Sequence, residues 1–234
     1  AYDSPEALVI IEKIYRTLRD AAYEESVYLA QERGAFPAFD WSVEESNEFI
    51  QRLPEELKKL IAQHGRRNIS ILTNAPTGSV SIMSQTSSGL EPVFRNSYIR
   101  RRKLSHAEQH LDADHIDDLG DRWLEYQVFH HNAQEWLDSH PFKEPGPLPA
   151  FFVESDTIDW QKRVAVQAVI QQSIDHSISS TINLPKGTDP ALVGELYMEG
   201  WRQGLKGITV YVEGSRSGVL VSDAPKDKEF PQNT

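Results

Sequence analysis

The stretch NISILTNAPTGSVSIMSQTSSGLEP, residues Asn68–Pro92, decides how this chain folds. Ile69, Ile71 and Leu72 form a short β-prone apolar run, and Pro76, which has no N–H to give a neighbouring strand, ends it. Thr77, Gly78 and Ser79 are small and polar, and Val80, Ile82 and Met83 then resume apolar character with hydroxyls between them. The simplest reading is a strand, a Pro-Thr-Gly-Ser turn and the first turn of a helix. Such a junction gathers free backbone N–H groups at one spot, which suits a phosphate. It is equally the form of an ordinary strand-to-helix turn, so the motif by itself leaves both readings open.

Outward from this stretch the chain alternates helices and strands. Ser4-Pro5-Glu6 predicts a helix start, and Leu8, Ile11, Ile14, Leu18, Ala21, Ala22 and Leu29 recur at helical spacing to about Arg33, with Gly34 as the stop. That length suits a helix lying across a large neighbour. Ala35–Phe39 reads as an apolar, proline-broken plug. Ser42 and Glu45 predict a capping box, and Pro54 opens a helix ending near His64-Gly65. After Pro92, Arg100–Lys103 is the densest basic run, read as a solvated charge run with nucleotide or partner contact as the alternative. Residues 105–150 form an excursion, with a strand from Trp123 and a short helix around Trp136. Asp159 caps a helix to about Ser173, Ser177–Pro185 is a buried strand, Asp189-Pro190 opens another helix, and Gly207–Glu213 is a third strand. Residues 221–234 are charged and proline-containing and read as a flexible tail.

Helix-connected apolar strands predict a parallel α/β arrangement packed with helices. Three strands make a poor independent sheet, because an edge needs covering. The expectation is a piece of something larger, or a subunit that docks on another sheet.

Composition narrows the function. The 234 residues carry a net charge of −11, which argues against broad binding to nucleic acid or anionic membrane but leaves room for a local phosphate site built from backbone amides. No apolar run approaches the roughly 18 residues of a membrane helix, and acidic residues stand where a signal peptide would be basic, so a cytoplasmic protein is expected. There is no cysteine, which removes disulfides, zinc–thiolate sites and thiol catalysis from this chain. His106 and His110 are four apart, near Asp112, Asp114 and His115, but HAEQH has its Glu at the third position rather than the second, and no metal is assigned.

With these residues in place, the chain resembles the C-terminal part of a ribonucleotide reductase large chain, in its adenosylcobalamin-dependent (class II) branch. Ala75-Pro76-Thr77-Gly78-Ser79 resembles that family's substrate-phosphate loop, and Ser87-Ser88-Gly89-Leu90-Glu91-Pro92 resembles the segment that follows it. Ser97-Tyr98 with the basic run, Thr181–Pro185, Lys206–Tyr211 and Gly214-Ser215-Arg216 are similar to further family segments, in the same order. Tyr2-Asp3-Ser4 and Gly34–Pro37 also have counterparts.

The resemblance implies the last strands and helices of a ten-stranded α/β barrel over residues 1–220, with a small β excursion. It implies a radical reaction converting ribonucleotides to 2′-deoxyribonucleotides, with adenosylcobalamin bound by the complete complex. The cysteines of that reaction would lie on a larger partner chain, so this chain supplies no catalytic residue. Its share would be the substrate's phosphates, held by Pro76, Thr77, Gly78, Ser79 and Val80. A stand-alone nucleotide-binding regulatory module and an inactive scaffold are the alternative readings. Asn74 departs from the apolar residue of many relatives and is read as a partner for a loop carbonyl. Val212 stands where a tandem radical-relay tyrosine would follow Tyr211, so Tyr211 is read as lining the interior.

Overall fold

A computed structural model describes residues 1–105, 108, 110–117, 120–140, 148–212 and 215. The chain opens with helix α1 (Pro5–Arg33). The Ser4 hydroxyl accepts from the Ala7 amide at its start, and Gly34, at φ 78°, ends it. Two single-turn helices follow, α2 (Trp41–Glu44) and α3 (Glu48–Gln51). Asp40, not Ser42, caps α2, because its carboxylate accepts from both the Ser42 amide and the Ser42 hydroxyl. Helix α4 (Glu55–His64) starts after Pro54 and ends at Gly65. There φ is 73° and a Cβ would come within 2.6 Å of Ala35 Cβ, so only glycine fits.

Residues 68–74 form no regular strand, which corrects the sequence expectation. The amides of Ile71 and Leu72 donate to the Asp175 carboxylate instead of to a neighbouring strand. Pairing is limited to one parallel bridge between Asn74 and Ile178, flanked by amide bonds from His176 to Leu72 and from Ser179 to Asn74. Ile69, expected to be apolar core, is 67% exposed. The chain then turns into α5 (Gly78–Ser84).

An antiparallel sheet follows, made of β1 (Ser97–Lys103), β2 (His115–Ile116) and β3 (Arg122–Phe129) in the order β1-β3-β2. The basic run is β1, and it is charge-paired within this sheet. Arg101 faces Glu125 in register and bonds to it at 2.9 Å, Arg102 forks onto Glu108, and Lys103 reaches Asp121. Helices α6 (His131–Ser139) and α7 (Trp160–Gln171) precede β4 (Thr181–Leu184), α8 (Pro190–Arg202) and β5 (Thr209–Val212). Strands β4 and β5 pair in parallel, as the helix between them requires. The 221–234 tail and His106 lie outside the described residues, as do Gly214 and Arg216.

Burial follows three clusters. Tyr23, Val27, Ile50, Leu53, Leu57 and Ile61 join α1 to α3 and α4, with Phe39 of the expected plug packed against them. Leu90, Val166, Ile170, Ile174 and Ile178 join α7 to the 68–92 stretch and take in Leu8, Ile11 and Tyr15 of α1. Val164, Ile182, Leu184 and Leu196 close α7 and α8 over one face of β4 and β5. By strand alternation the opposite face of that pair carries Thr181, Asn183, Thr209 and Tyr211, a polar surface away from the helices. Tyr211 is half-buried on that face, opposite Asn183. No helix among the described residues is long and apolar enough to cross a membrane.

Candidate phosphate-binding site

The turn forms because its two motifs fold onto each other. Thr77 sits in the left-handed region at φ 52°, unusual for a β-branched residue and costing on the order of 1–3 kcal/mol. Its Oγ1 accepts from the Gly89 amide at 2.8 Å, tying the Pro-Thr-Gly-Ser turn to the Ser-Ser-Gly segment. The Ser81 hydroxyl donates to the Gly78 carbonyl at 2.7 Å and meets the Ser88 hydroxyl at 2.9 Å. Gly89 itself has φ 54°, and a Cβ there would lie 2.9 Å from the Ala75 carbonyl oxygen and 3.2 Å from Asn74 Oδ1. The close approach of these two segments therefore depends on glycine.

The site residues named from sequence come together on one open surface. The Ser81 amide already bonds the Thr77 carbonyl, whereas among the described residues nothing accepts from the amides of Gly78, Ser79 or Val80. All three residues are exposed, and a Cβ on Gly78 would meet nothing within 4 Å. The Ser79 hydroxyl lies in the same first turn. This is a group of unspent N–H donors at the start of a helix, flanked by hydroxyls, and it can hold the oxygens of an anion. No lysine or arginine occurs between Asn68 and Phe94, so the donors of the turn itself are neutral.

Several positioning contacts had no signal in the sequence. Asp175 carries the 68–74 stretch: Oδ2 accepts from the Tyr23 hydroxyl at 2.8 Å and from the Ile71 amide at 2.7 Å, and Oδ1 accepts from the Leu72 amide at 3.0 Å. Burial, then the hydrogen bond to Asp175, pushes the Tyr23 phenol above its ordinary range. Asn74 donates from Nδ2 to the Tyr15 hydroxyl at 2.8 Å rather than to a loop carbonyl, which fixes the turn to α1. Glu91 accepts from the Thr181 amide at 2.8 Å and Tyr2 donates to the Leu90 carbonyl, so the second motif is held to both β4 and the chain start. Beside them Arg163 is buried; its Nη2 donates to the Thr181 carbonyl at 2.7 Å while Nη1 has no partner among the described residues. Burial lowers its pKa. None of these partners has a local sequence signal, since each meets its group across 59 or more residues, apart from the 18 between Arg163 and Thr181.

A second concavity, of 430 Å³, lies where β4 ends and α7 begins, lined by Asp156, Asp159, Trp160, Asn183, Pro185 and Thr188 among others. Asp156 is paired with Arg95 at 2.7 Å and Asp159 caps α7. Its size lies toward the small end of ordinary ligand sites, roughly 300–1,000 Å³, and it offers acids rather than anion donors. At that size it cannot enclose a corrin with its axial groups, so this concavity is not a cobalamin cradle. Among the described residues there is also no group of three or more His, Asp or Glu side chains able to hold a metal ion.

A two-stranded parallel pair with a single parallel bridge to the 68–74 stretch is an open α/β arrangement among the described residues. The family model for the ribonucleotide reductase barrel domain matches residues 1–211, and the chain belongs to that family. It is 32% identical over 233 residues to the vitamin B12-dependent ribonucleoside-diphosphate reductase of Mycobacterium tuberculosis, covering 96% of this chain and 30% of that protein. Its identity to the enzyme of the same name from Thermoplasma acidophilum is 29%, over 97% of this chain and 28% of the relative. The ribonucleoside-diphosphate reductase large subunit of Plasmodium falciparum is 28% identical over 88% of this chain and 27% of its own length. The chain thus spans about 30% of the length of the curated relatives it matches. The architecture is a partial, unclosed α/β barrel.

Proposed function

We propose that this chain supplies the substrate-phosphate end of a ribonucleotide reductase active site and the strands that close its barrel. The reducing cysteines would reside on a larger partner chain. The observation that carries the phosphate role is the set of Gly78, Ser79 and Val80 amides, from which nothing accepts among the described residues, on a turn tied by the bond from the Gly89 amide to Thr77 Oγ1. The absence of cysteine from all 234 residues supports the division of labour, since thiol chemistry cannot be performed here.

In this reading the amides of residues 78–80 and the hydroxyls of Thr77 and Ser79 hold the terminal phosphates of a ribonucleotide. A ribonucleoside diphosphate is the substrate that the relatives' names favour. The turn forms no bond and moves no proton in the reaction. It fixes the ribose against a radical generated elsewhere, which lowers the entropic cost of reaction. The polar face of Thr181, Asn183, Thr209 and Tyr211 would line the interior beside it. The names of the relatives favour adenosylcobalamin as the cofactor of the whole assembly, where it would supply the initiating radical, and no residue of this chain is assigned to it.

The test is the double variant Thr77→Ala/Ser79→Ala in the assembled reductase. KM for the ribonucleotide should rise about tenfold or more, the scale of one or two lost hydrogen bonds to a charged group, with kcat changed less. An unchanged KM refutes the phosphate role. Calorimetric titration of the chain alone with a nucleoside diphosphate separates this reading from a stand-alone nucleotide module, which would bind tightly without a partner.

A further inference from the structure

Helix α7 carries a buried polar stripe. Arg163, Gln167 and Gln171 recur every four residues on one side of the helix and are 3%, 0% and 2% exposed. Each donates to main chain at or before the start of a strand. Arg163 Nη2 reaches the Thr181 carbonyl at 2.7 Å, where β4 begins. Gln167 Nε2 reaches the Gly207 carbonyl at 2.7 Å, just before β5. Gln171 Nε2 donates to the Ile174 and His176 carbonyls, both at 2.9 Å, in the segment leading to β4, and its Oε1 accepts from the Lys206 amide at 3.4 Å. One helix face thus grips the approaches to both parallel strands.

Stability alone would not select this stripe. Arg163 Nη1 and Gln167 Oε1 are buried and have no partner among the described residues. A buried polar atom left unpaired costs free energy, and an apolar side chain of similar volume avoids that cost. Departures of this kind concentrate where geometry serves function. Here the bonds run from the Pro-Thr-Gly-Ser turn to the sheet. The Gly89 amide ties its segment to Thr77, Glu91 Oε1 in the same segment accepts from the Thr181 amide at 2.8 Å, and Arg163 holds the carbonyl of that same Thr181. Thr181 is therefore fixed at both its N–H and its C=O. Gln167 extends the connection to β5, whose Thr209 amide donates to the Ser180 carbonyl at 3.1 Å.

We propose that Glu91, Arg163 and Gln167 are positioning residues of the reaction. They set the distance between the turn that holds the phosphates and the polar face of Thr181, Asn183, Thr209 and Tyr211 that meets the ribose. They touch no substrate and act through the strands they hold. The proposal rests on the reading of that face as the interior of the reaction site. Because the turn and the face are separate elements, loosening the stripe leaves the phosphate donors in place and misplaces the sugar. The signature is a fall in kcat with KM held, the reverse of that expected for the Thr77/Ser79 double variant. A misplacement of about 1 Å lowers the rate by up to about a hundredfold.

The test is Gln167→Met in the assembled reductase. Methionine keeps the length and nearly the volume of glutamine, releases the Gly207 carbonyl and removes the unpaired Oε1, so the midpoint of urea unfolding should stay near that of the parent chain. The expected result is a kcat lower by about tenfold or more, with KM within about twofold. Arg163→Met should lower kcat in the same way. Glu91→Gln, which keeps an acceptor for the Thr181 amide, should retain far more activity than Glu91→Ala. An unchanged kcat in Gln167→Met overturns the proposal, as does a raised KM with kcat preserved, which assigns the stripe to phosphate binding. Equal losses in Glu91→Gln and Glu91→Ala overturn the hold on Thr181. A kcat loss matched by a lowered unfolding midpoint, or a Gln167→Met chain that does not fold, also overturns it, because the stripe is then purely structural. A lower kcat in Gln167→Met beside an unchanged KM in the Thr77/Ser79 double variant would sink the phosphate role and leave the positioning role standing. The opposite pair of results would do the reverse.

Discussion

Gly78 and Gly89 are both glycines of the turn, and the structure gives them opposite consequences on substitution. Gly89→Ala places a methyl in the left-handed region at φ 54° and 2.9 Å from a backbone carbonyl oxygen, that of Ala75. The backbone strain costs about 1–2 kcal/mol, and relieving the overlap about 1–3 kcal/mol more, because the obstructing atom is main chain and cannot swing aside. The sum, roughly 2–5 kcal/mol, exceeds the roughly 1 kcal/mol of the Gly89 amide bond to Thr77 Oγ1. The Ser87–Glu91 segment should therefore lift from the turn. Gly78→Ala meets nothing within 4 Å, and alanine is the better helix former by up to about 1 kcal/mol, so the fold should be unchanged or slightly firmer. Urea denaturation and exchange rates of the 77–90 amides read the first effect. KM in the assembled enzyme reads the second, since a methyl at residue 78 obstructs a phosphate without touching the protein. Two equal stabilities would refute the packing argument. An unaltered KM in Gly78→Ala would refute the claim that phosphate approaches there.

Other substitutions follow from the same geometry. Asp175→Ala strands the Tyr23 hydroxyl and the Ile71 and Leu72 amides, and should cost about 2–4 kcal/mol by denaturant unfolding; Tyr23→Phe should cost about 1 kcal/mol, with non-additive coupling between the two. The Arg102 hydrogen bonds, with help from Ser105, hold the Glu108 carboxyl down at about 2. Because the folded value lies below the unfolded one, the contribution of this fork is present above the ordinary carboxylate range of roughly 4.3. It is lost progressively as pH falls from there through about 2. A carbon-13 titration of Glu108 that turns near the ordinary value would contradict the pairing.

Much of the local structure was legible because its causes are local. Ser4-Pro5 and Asp189-Pro190 open α1 and α8, and Gly34 and Gly65 end α1 and α4, as their chemistry requires. The turn residues 76–80 do converge on one exposed surface, since five consecutive residues at a helix start have little freedom to disperse. The capping of α2 was misread by two residues because Asp40 and Ser42 both carry suitable oxygens, and the chain's entry angle chooses between them. Helix α1 shows the limit most clearly: its apolar residues repeat at helical spacing, but spacing does not say which arc this chain covers.

The sequence alone therefore determined three things: the alternation of helices and strands, the absence of cysteine from the 234 residues, and the presence of a turn into a helix at residues 76–80. Tertiary structure decided that Asp175, over a hundred residues away, takes the amides that a strand ladder would have used, and that Gly89 must stay bare so the second motif can seat on the first. It also decided that Ile14 and Leu18 face outward. Local chemistry sets which conformation each residue prefers. Which distant group satisfies a buried amide, or covers an apolar face, depends on where the whole chain brings its surfaces, and no short window of sequence holds that information.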